Sequence, residues 1–381
     1  MFINQYLYNR KTNIYKKKVI FIVVGRLNAS LTTSKVLPII ATNLFSSIYV
    51  FRERAGDPIK GVTYITSNIP RFIKPAFLRR ILQRIYEPIQ LIYYSFKYKP
   101  IIINGYQIFP KGINSYIAAR LTNTKCIISS IGGLPEIETY YQHKFLWRNL
   151  FLFFFRHADI VTTKGKTVTN YLIEHGVSSN KIFTYNGAIN TDRFNISYNF
   201  KRDIDLIFVG SLIKHKGPDI FVQIVKRVQK TFPNVIAKIL GAGELETHIR
   251  NMIKVLNLSL NIEMLGYVKY PENYYKRATI IVMPTKSEGL STAMLEAMAC
   301  GCIPVVSDIG CLTEAAINNY TAIVIDDYQD VESFSYHIIE LLNNELKRYS
   351  LVNNAANLVS NKYNINTQSA IYKMIYDILI H

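Results

Sequence analysis

Residues 280–307, IIVMPTKSEGLSTAMLEAMACGCIPVVS, decide the fold of this chain. The stretch begins with an apolar, β-branched run that ends at Pro284 and is typical of a buried strand. A short polar loop follows, and a helix is predicted from about Ser291 to Cys300, where Gly301 can end it. A second apolar run, residues 303–306, completes a strand–loop–helix–strand unit. This unit is the repeating element of a parallel α/β sheet.

Two carboxylates flank the junction between this loop and this helix. Glu288 lies just before the helix, Glu296 lies inside it, and Gly289 stands where a backbone must approach another group closely. The amides at the start of a helix favour an anion, and helical side chains lean toward the amino end, so Glu296 can reach the same ligand. The stretch therefore predicts a site for a phosphate and hydroxyl groups. Considered singly, the two residues could also be a loop charge and a solvated helix residue.

The spacing Glu288-x7-Glu296, followed by Ala-Met-Ala-x-Gly-x-Ile-Pro-Val-Val, resembles the retaining GT-B glycosyltransferases of family 4, the glycosyl transferases group 1. The resemblance implies that Glu288 contacts the transferred sugar at the reaction centre and that Glu296 holds the ribose of the nucleotide. It also implies that the backbone amides of Gly289, Leu290 and Ser291 bind the diphosphate of the donor.

A second loop in the same half of the chain extends this resemblance. Residues 206–209 are a predicted strand that leads into GSLIKHKG, residues 210–217. Members of the family usually offer an Arg after the first Gly and a Lys before the last, both on the donor diphosphate. Lys216 matches the Lys, whereas Ser211 replaces the Arg. Lys214 is the candidate for the missing charge, with a solvated loop lysine as the alternative. The turn that contains Gly243 is expected to form a wall of the nucleotide site.

The first half of the chain departs further from the family. Its first predicted strand, residues 19–24, ends at Gly25, and the loop reads Gly-Arg-Leu-Asn where relatives usually carry two glycines near the donor phosphate and the acceptor. Gly25 is a donor-binding candidate on that basis. A histidine that helps to orient the sugar in many relatives is missing near Ser129 and Ser130. The pair Asn186-Gly187 resembles the segment that closes the family's first domain.

The composition limits the choice of partners. The 381 residues exceed what one core usually organises, so two domains are expected. A formal net charge of +19 suits nucleic acid, an anionic membrane or anionic small substrates, and composition alone does not choose among them. No motif of a nucleic-acid-binding class accompanies the charge, so nucleic acid is not an expected partner. The 4 cysteines are interpreted as core residues in a reducing compartment.

Residues 71–99 interleave basic and apolar side chains at helical spacing. The pattern fits a basic amphipathic helix on an anionic membrane. The alternative is an ordinary helix with one side packed on the sheet and a solvated basic side. The apolar runs are shorter than a membrane span. The expected location is therefore cytoplasmic, with peripheral contact at the inner face of the membrane as a further option.

These patterns predict an α/β protein of the GT-B fold, with two doubly wound, Rossmann-like domains facing across a cleft. The acceptor-binding domain is expected at residues 1–197, the nucleotide-sugar-binding domain at 203–363, and a helix that crosses back to the first domain at 364–381. The expected activity is retaining hexosyl transfer from a nucleotide-sugar to a hydroxyl of a glycan or lipid-linked glycan in surface polysaccharide synthesis. The alternatives are a non-catalytic sugar-nucleotide-binding relative and a GT-B sugar-nucleotide epimerase.

No cofactor and no essential metal ion are expected, because the nucleotide-sugar is a substrate. Asp203-x-Asp205 resembles the acidic pair that holds a metal ion in the other main glycosyltransferase fold. It lacks a supporting acid cluster and is interpreted as the entry to a strand. The histidines show no paired ligand spacing.

Overall fold

The computed structural model describes residues 18–25, 29–54, 56–67, 69, 75–131, 145–185, 187–197 and 200–380. Residues 1–17, the loop residues Arg26, Leu27 and Asn28, and Asn186 lie outside the described residues, as do residues 70–74. Within the described part of the chain, helices cover two parallel sheets.

The first sheet has seven parallel strands within the described residues, in the order β3-β2-β1-β4-β5-β6-β7. Its strands are β1 Val19–Gly25, β2 Ser47–Arg52, β3 Val62–Thr66, β4 Ile102–Tyr106, β5 Lys125–Ser129, β6 Ile160–Thr163 and β7 Ile182–Thr184. Its helices are α1 Ala29–Ala41, α2 Ala76–Tyr98, α3 Ile113–Leu121, α4 Phe145–His157 and α5 Lys166–Glu174. All residues of β1 are buried, as expected when helices cover both faces of a parallel sheet.

The second sheet has six parallel strands in the order β10-β9-β8-β11-β12-β13, again counting the described residues. Its strands are β8 Ile204–Val209, β9 Ala237–Leu240, β10 Ile262–Gly266, β11 Ala278–Met283, β12 Ile303–Ser307 and β13 Ile323–Ile325. The helices of this half are α6 Pro218–Gln229, α7 Glu246–Val255, α8 Glu272–Tyr275, α9 Thr292–Ala299, α10 Val331–Asn343 and α11 Glu345–Lys362. The last helix is α12 Ile365–Ile380.

The unit at residues 280–307 folds as predicted, into β11, a loop, α9 and β12. β11 pairs in parallel with β12, with Ile280 opposite Ile303. The chain leaves α9 through Gly301 at φ +83°, a left-handed conformation that glycine adopts without steric cost. Strands alternate with helices in the same way in both halves of the chain. The predicted class, two doubly wound α/β domains, is confirmed.

The last two helices divide between the two domains. α11 packs Ala355 and Val359 into the core of the second domain. α12 instead packs Tyr372 and Tyr376 into the core of the first domain, where the Tyr372 hydroxyl hydrogen-bonds with that of Tyr106 in β4. The chain therefore returns from the second domain to the first between these two helices.

Two simpler expectations concern the cysteines and the membrane. All four cysteines are buried, and none forms a disulfide, which agrees with their interpretation as core residues. Among the residues that the structure describes, no helix has the length and apolar character needed to cross a bilayer.

Candidate functional site

The candidate site lies in the second domain, at the edge where the carboxyl ends of β8, β9, β10 and β11 meet. The loops after these strands and the start of α9 enclose a cavity of about 340 Å³. Open parallel sheets bind ligands at this edge because rigid strands hold variable loops there. The lining residues that bear on its chemistry are Ser211, Lys216, Gly241, Ala242, Lys269, Tyr275, Thr285, Glu288, Ser291, Thr292, Ala293 and Glu296.

The amino end of α9 forms one wall of the cavity. Ser291 precedes the helix in an extended conformation, and its hydroxyl accepts a hydrogen bond from the amide of Met294 at 3.4 Å. Thr292 and Ala293 of the first turn line the cavity. Their amides have no carbonyl partner inside the helix and lie at its positive end. This wall is therefore suited to an anion such as a phosphate.

Glu296 lies one turn further along α9, and it lines the cavity although only 6% of the residue is exposed. Arg193 lies nearby and is held by Glu272 through two hydrogen bonds of 2.9 and 2.8 Å. Glu272 first, and then Glu296, act to raise the pKa of the Arg193 guanidinium. Tyr275 also lines the cavity, and burial followed by the charge of Glu296 raises the pKa of its hydroxyl. The Tyr275 hydroxyl is buried with no hydrogen-bond partner among the described residues.

Lys216 and Glu288 form an ion pair at the mouth of the cavity. Their loops follow β8 and β11, neighbouring strands of the sheet. Burial, and next the charge of Lys164, lower the pKa of the Lys216 ammonium to about 8. The paired carboxylate of Glu288 favours the charged form. The pair therefore places one cation and one anion beside the anion-binding wall. Both groups line the cavity, so a bound ligand could replace either partner.

Backbone contacts hold these two loops together. The carbonyl of His215 accepts hydrogen bonds from the Thr285 hydroxyl and the Lys286 amide, both at 2.8 Å. Gly217 adopts φ +68° and lies so close to the Pro284 carbonyl that an added Cβ would be 2.0 Å from its oxygen. Only glycine fits there. Lys216 and Glu288 are thus presented from a fastened pair of loops.

The structure brings five of the predicted site residues to the cavity wall, namely Ser211, Lys216, Glu288, Ser291 and Glu296. The other five lie elsewhere. Lys214 is exposed on a one-turn helix and is not among the residues that line the cavity.

Three glycines and one leucine complete the predicted set, and all four are outside the lining residues. Gly243 packs on the Leu212 carbonyl, while its neighbours Gly241 and Ala242 line the cavity. Gly289 and Leu290 are buried just before α9. Gly25 ends β1 in the first domain, where it lies against Lys111.

Lys164 is a cation near the site that the sequence interpretation missed. It directly follows β6 in the first domain, is buried, and donates a hydrogen bond to the Leu290 carbonyl of the second domain at 3.2 Å. The next residues continue this contact, since the Lys166 amide donates to Glu314 at 2.7 Å. Its position directly after a strand could have indicated Lys164, because ligand-binding loops follow the carboxyl ends of parallel strands. Only the packing of the two domains shows that this strand end faces the α9 loop.

The corresponding edge of the first sheet also contains a lysine–glutamate pair. Lys111 and Glu87 form an ion pair beside a pocket of about 20 Å³. Gln83 and Ser67 donate hydrogen bonds to Glu87 at 2.9 and 3.2 Å. This cluster is sealed by its own hydrogen bonds, and it has no space for a sugar.

No group of three or more His, Cys, Asp or Glu side chains that could hold a metal ion occurs within the described ranges. Asp203 and Asp205, which were interpreted as the entry to a strand, both bind protein groups. Asp203 accepts hydrogen bonds from Arg277 at 2.8 and 2.6 Å, and Asp205 accepts one from the Ile236 amide at 2.8 Å. Both residues bind protein groups at the start of β8.

Two doubly wound domains in contact, with a ligand cavity at the strand ends of the second, define a protein of the GT-B fold. Residues 190–358 match the model of the family described as glycosyl transferases group 1. The match covers the second domain, and it supports the resemblance to this family that the phrase around Glu288 and Glu296 predicted.

Individual relatives show the same similarity. An uncharacterised glycosyltransferase of Methanocaldococcus jannaschii is 29% identical over 208 residues, which span 53% of this chain and 56% of the relative's length. The capsular polysaccharide biosynthesis glycosyltransferase CapM of Staphylococcus aureus is 24% identical over 292 residues, or 72% of this chain and 76% of CapM. HepE from Anabaena, solved in complex with UDP and glucose, superposes with a TM-score of 0.77 over 96% of this chain and 99% of HepE at 13% identity. The similarity to HepE shows a shared fold.

Proposed function

We propose that the chain transfers a hexosyl group from a nucleotide-sugar to an acceptor hydroxyl, with retention of the anomeric configuration. One observation carries the proposal. A single cavity brings together the amino end of α9, the buried carboxylate of Glu296, and the ion pair of Lys216 with Glu288. These groups match the three parts of a nucleotide-sugar, which are a diphosphate, a ribose with vicinal hydroxyls, and a sugar at which positive charge develops.

The donor would lie across the cavity with its diphosphate on the first-turn amides of α9 and the ammonium of Lys216. Glu296, deeper along the helix, would accept hydrogen bonds from the ribose hydroxyls. A uridine nucleotide is the first candidate, since HepE of the same fold was solved with UDP and glucose. The acceptor would enter from the side of the first domain.

The ion pair suggests how donor binding prepares the reaction. In the structure, the charge of Lys216 is engaged with Glu288. A bound diphosphate would compete for that ammonium and release the Glu288 carboxylate toward the sugar. As the glycosidic bond breaks, negative charge grows on the leaving diphosphate, where Lys216 and the α9 amides stabilise it. Glu288 would hold the sugar while positive charge develops at its anomeric carbon.

Lys164 would provide the second cation that Lys214 does not provide. Its ammonium already lies against the Leu290 carbonyl, in the segment that would carry the diphosphate. It also acts electrostatically on Lys216, whose pKa it lowers. Because Lys164 belongs to the first domain, its contribution would require the two domains to be in contact. Donor binding and domain closure would then be coupled.

The acceptor class is proposed as a glycan or lipid-linked glycan of surface polysaccharide synthesis. CapM, a relative over most of this chain, is a capsular polysaccharide biosynthesis glycosyltransferase. The basic charge of the chain suits an anionic or membrane-bound acceptor. The proposed location is cytoplasmic, with peripheral contact at the inner face of the membrane. We expect no metal requirement, because Lys164, Lys216 and the α9 amides would meet the diphosphate charge.

The experiment is hydrolysis of a panel of nucleotide-sugars without acceptor, with nucleotide binding measured by calorimetry on the same samples. We compare the native protein with Glu288→Ala, Lys216→Ala and, as a matched control, the exposed Lys230→Ala. Slow release of one nucleoside diphosphate, lost in the first two variants and kept in the control, supports the proposal. Nucleotide binding without hydrolysis or transfer to any glycan acceptor favours the non-catalytic relative. Conversion of the sugar to its epimer favours the epimerase.

A further inference from the structure

The outer side of α2 carries an apolar stripe along its whole length. Phe77, Ile81, Ile85, Ile89 and Tyr93 recur at every fourth residue, and all five side chains are exposed. Four-residue spacing keeps them on one side of a helix that is about 34 Å long at the standard rise. Exposed apolar side chains are normal when scattered, but a continuous stripe marks an interaction surface.

The opposite side of α2 is also apolar, and it packs on the first sheet. Leu91 is buried in the core there, and Tyr94 and Tyr98 pack against the same cluster. The ordinary amphipathic helix that sequence reasoning kept as the alternative would bury its apolar side and expose a basic one. α2 has a second apolar side besides the buried one, so core packing does not explain the stripe.

The stripe continues onto two neighbouring helices. α2, α3 and α4 cover the same face of the first sheet and share one core. The ring of Tyr116 in α3 contacts Phe153 in α4, which ties these two helices together. Their outer sides expose further large apolar side chains: Ile117 and Leu121 on α3, and Trp147, Leu150 and Phe153 on α4.

The charged residues of the three helices are almost all basic. They are Arg79, Arg80, Arg84, Lys97, Arg120, Arg148 and Arg156. The one acid in α2, α3 and α4 is Glu87, which is buried in its pair with Lys111. Within these three helices, the apolar face is bordered by arginines and has no exposed carboxylate, which complements an anionic lipid surface. A second copy of this chain would bring like charges together at the same face, which disfavours a homodimer there.

We propose that the outer face of α2, α3 and α4 docks on an anionic phospholipid bilayer, with α2 lying parallel to the membrane plane. The apolar stripe enters the boundary between headgroups and acyl chains, and the arginines contact lipid phosphates. The proposal deepens the membrane contact of the proposed function by naming its surface, and it stands whether or not the chain transfers sugar. Since the face belongs to the first domain, the bilayer is held on the acceptor side of the molecule.

Trp147, the only tryptophan of the chain, lies exposed on this face and reports its contact with lipid. We expect the full-length protein to float with vesicles that contain phosphatidylglycerol at low salt, and less so with phosphatidylcholine alone. Binding should shift Trp147 emission to the blue and make it sensitive to quenching by brominated lipid chains. Arg80→Gln with Arg84→Gln should weaken binding about tenfold and flatten its salt dependence.

The decisive comparison uses two matched pairs of substitutions. Ile85→Glu with Ile89→Glu changes side chains that are 55% and 59% exposed on the stripe. Val255→Glu with Leu260→Glu changes side chains that are 79% and 99% exposed in the second domain. We expect the first pair to lower vesicle affinity at least about tenfold and the second to leave it unchanged. Circular dichroism and nucleotide binding in solution should match in both variants, which separates loss of docking from loss of folding or of the donor site.

Three outcomes would overturn the proposal. The first is native protein that stays unbound at low salt with anionic vesicles. The second is equal vesicle affinity for the two pairs of glutamate variants. The third is a native dimer that becomes monomeric in the variant with Ile85→Glu and Ile89→Glu, together with Trp147 emission that does not change when vesicles are added. A second copy of the chain would then cover the face.

Discussion

Each domain holds a lysine–glutamate ion pair at the strand-end edge of its sheet, but the two pairs differ in access to solvent. The side chains of Lys216 and Glu288 are 22% and 18% exposed and border a cavity of about 340 Å³. Those of Lys111 and Glu87 are 8% and 10% exposed and border about 20 Å³. An open pair can exchange its partner for a ligand, whereas a sealed pair serves the fold. The same two residue types therefore have different consequences, and access decides between them.

Removing the lysine of each pair should have opposite effects in the two domains. Lys111→Met leaves Glu87 buried without its cation, and we expect the free energy of unfolding to fall by about 3 kcal/mol. Donor affinity should stay unchanged. Lys216→Met should do the reverse, with donor hydrolysis reduced about a hundredfold and stability nearly kept. Urea unfolding and hydrolysis assays on both variants check this. A stability loss as large in Lys216→Met as in Lys111→Met would end the distinction.

Donor affinity should depend on pH through the open pair. The pKa of Lys216 is lowered to about 8, so its ammonium is charged below that pH and loses its proton above it. We expect donor affinity to be constant below pH 8 and to fall by up to about tenfold for each pH unit above it. Calorimetric titration with nucleoside diphosphate measures this dependence.

Stability should respond to the same titration with the opposite sign. Between pH 8 and the ordinary lysine pKa of 10.5, the folded chain binds fewer protons at Lys216 than the unfolded chain does. The contribution of this group to the free energy of unfolding therefore rises with pH in that window. Lys216→Arg is the control, because a guanidinium stays charged and should remove the pH dependence of affinity. A native affinity that stays flat to pH 10 would contradict the role of Lys216.

The smallest expected effect tests the cation contributed by the other domain. Lys164→Met should weaken donor binding about fivefold, because one charge near the diphosphate is lost in a partly buried site. It should also move the pH midpoint of affinity upward, since Lys164 lowers the pKa of Lys216. Lys214→Met, outside the cavity lining, is the matched comparison and should change affinity less than about twofold. Equal losses of donor affinity in the two variants would contradict the role of Lys164 as the second cation.

Much of the architecture could be predicted from the chain alone. The strands alternate with helical segments, and the predicted strands at residues 19–24 and 206–209 lie within β1 and β8. The helix after Glu288 was predicted within one residue at each end. Such local patterns suffice because side-chain periodicity and glycine conformations are read over a few neighbouring residues. α11, whose polar, asparagine-rich sequence shows weak periodicity, was not predicted.

The resemblance to glycosyl transferases group 1, the two doubly wound domains, and the placement of Glu288, Glu296 and Lys216 at one sheet edge could all be predicted from the sequence. Each follows from residues that are close in the chain. Tertiary structure alone decided that Lys216 enters the cavity while Lys214 stays outside, because the turn closed by Gly217 on Pro284 sets their directions. It also decided that Lys164 crosses to the α9 loop and that one apolar side of α2 is left exposed by the described part of the chain. These features depend on how segments that are distant in the chain pack together, and local sequence patterns do not contain that information.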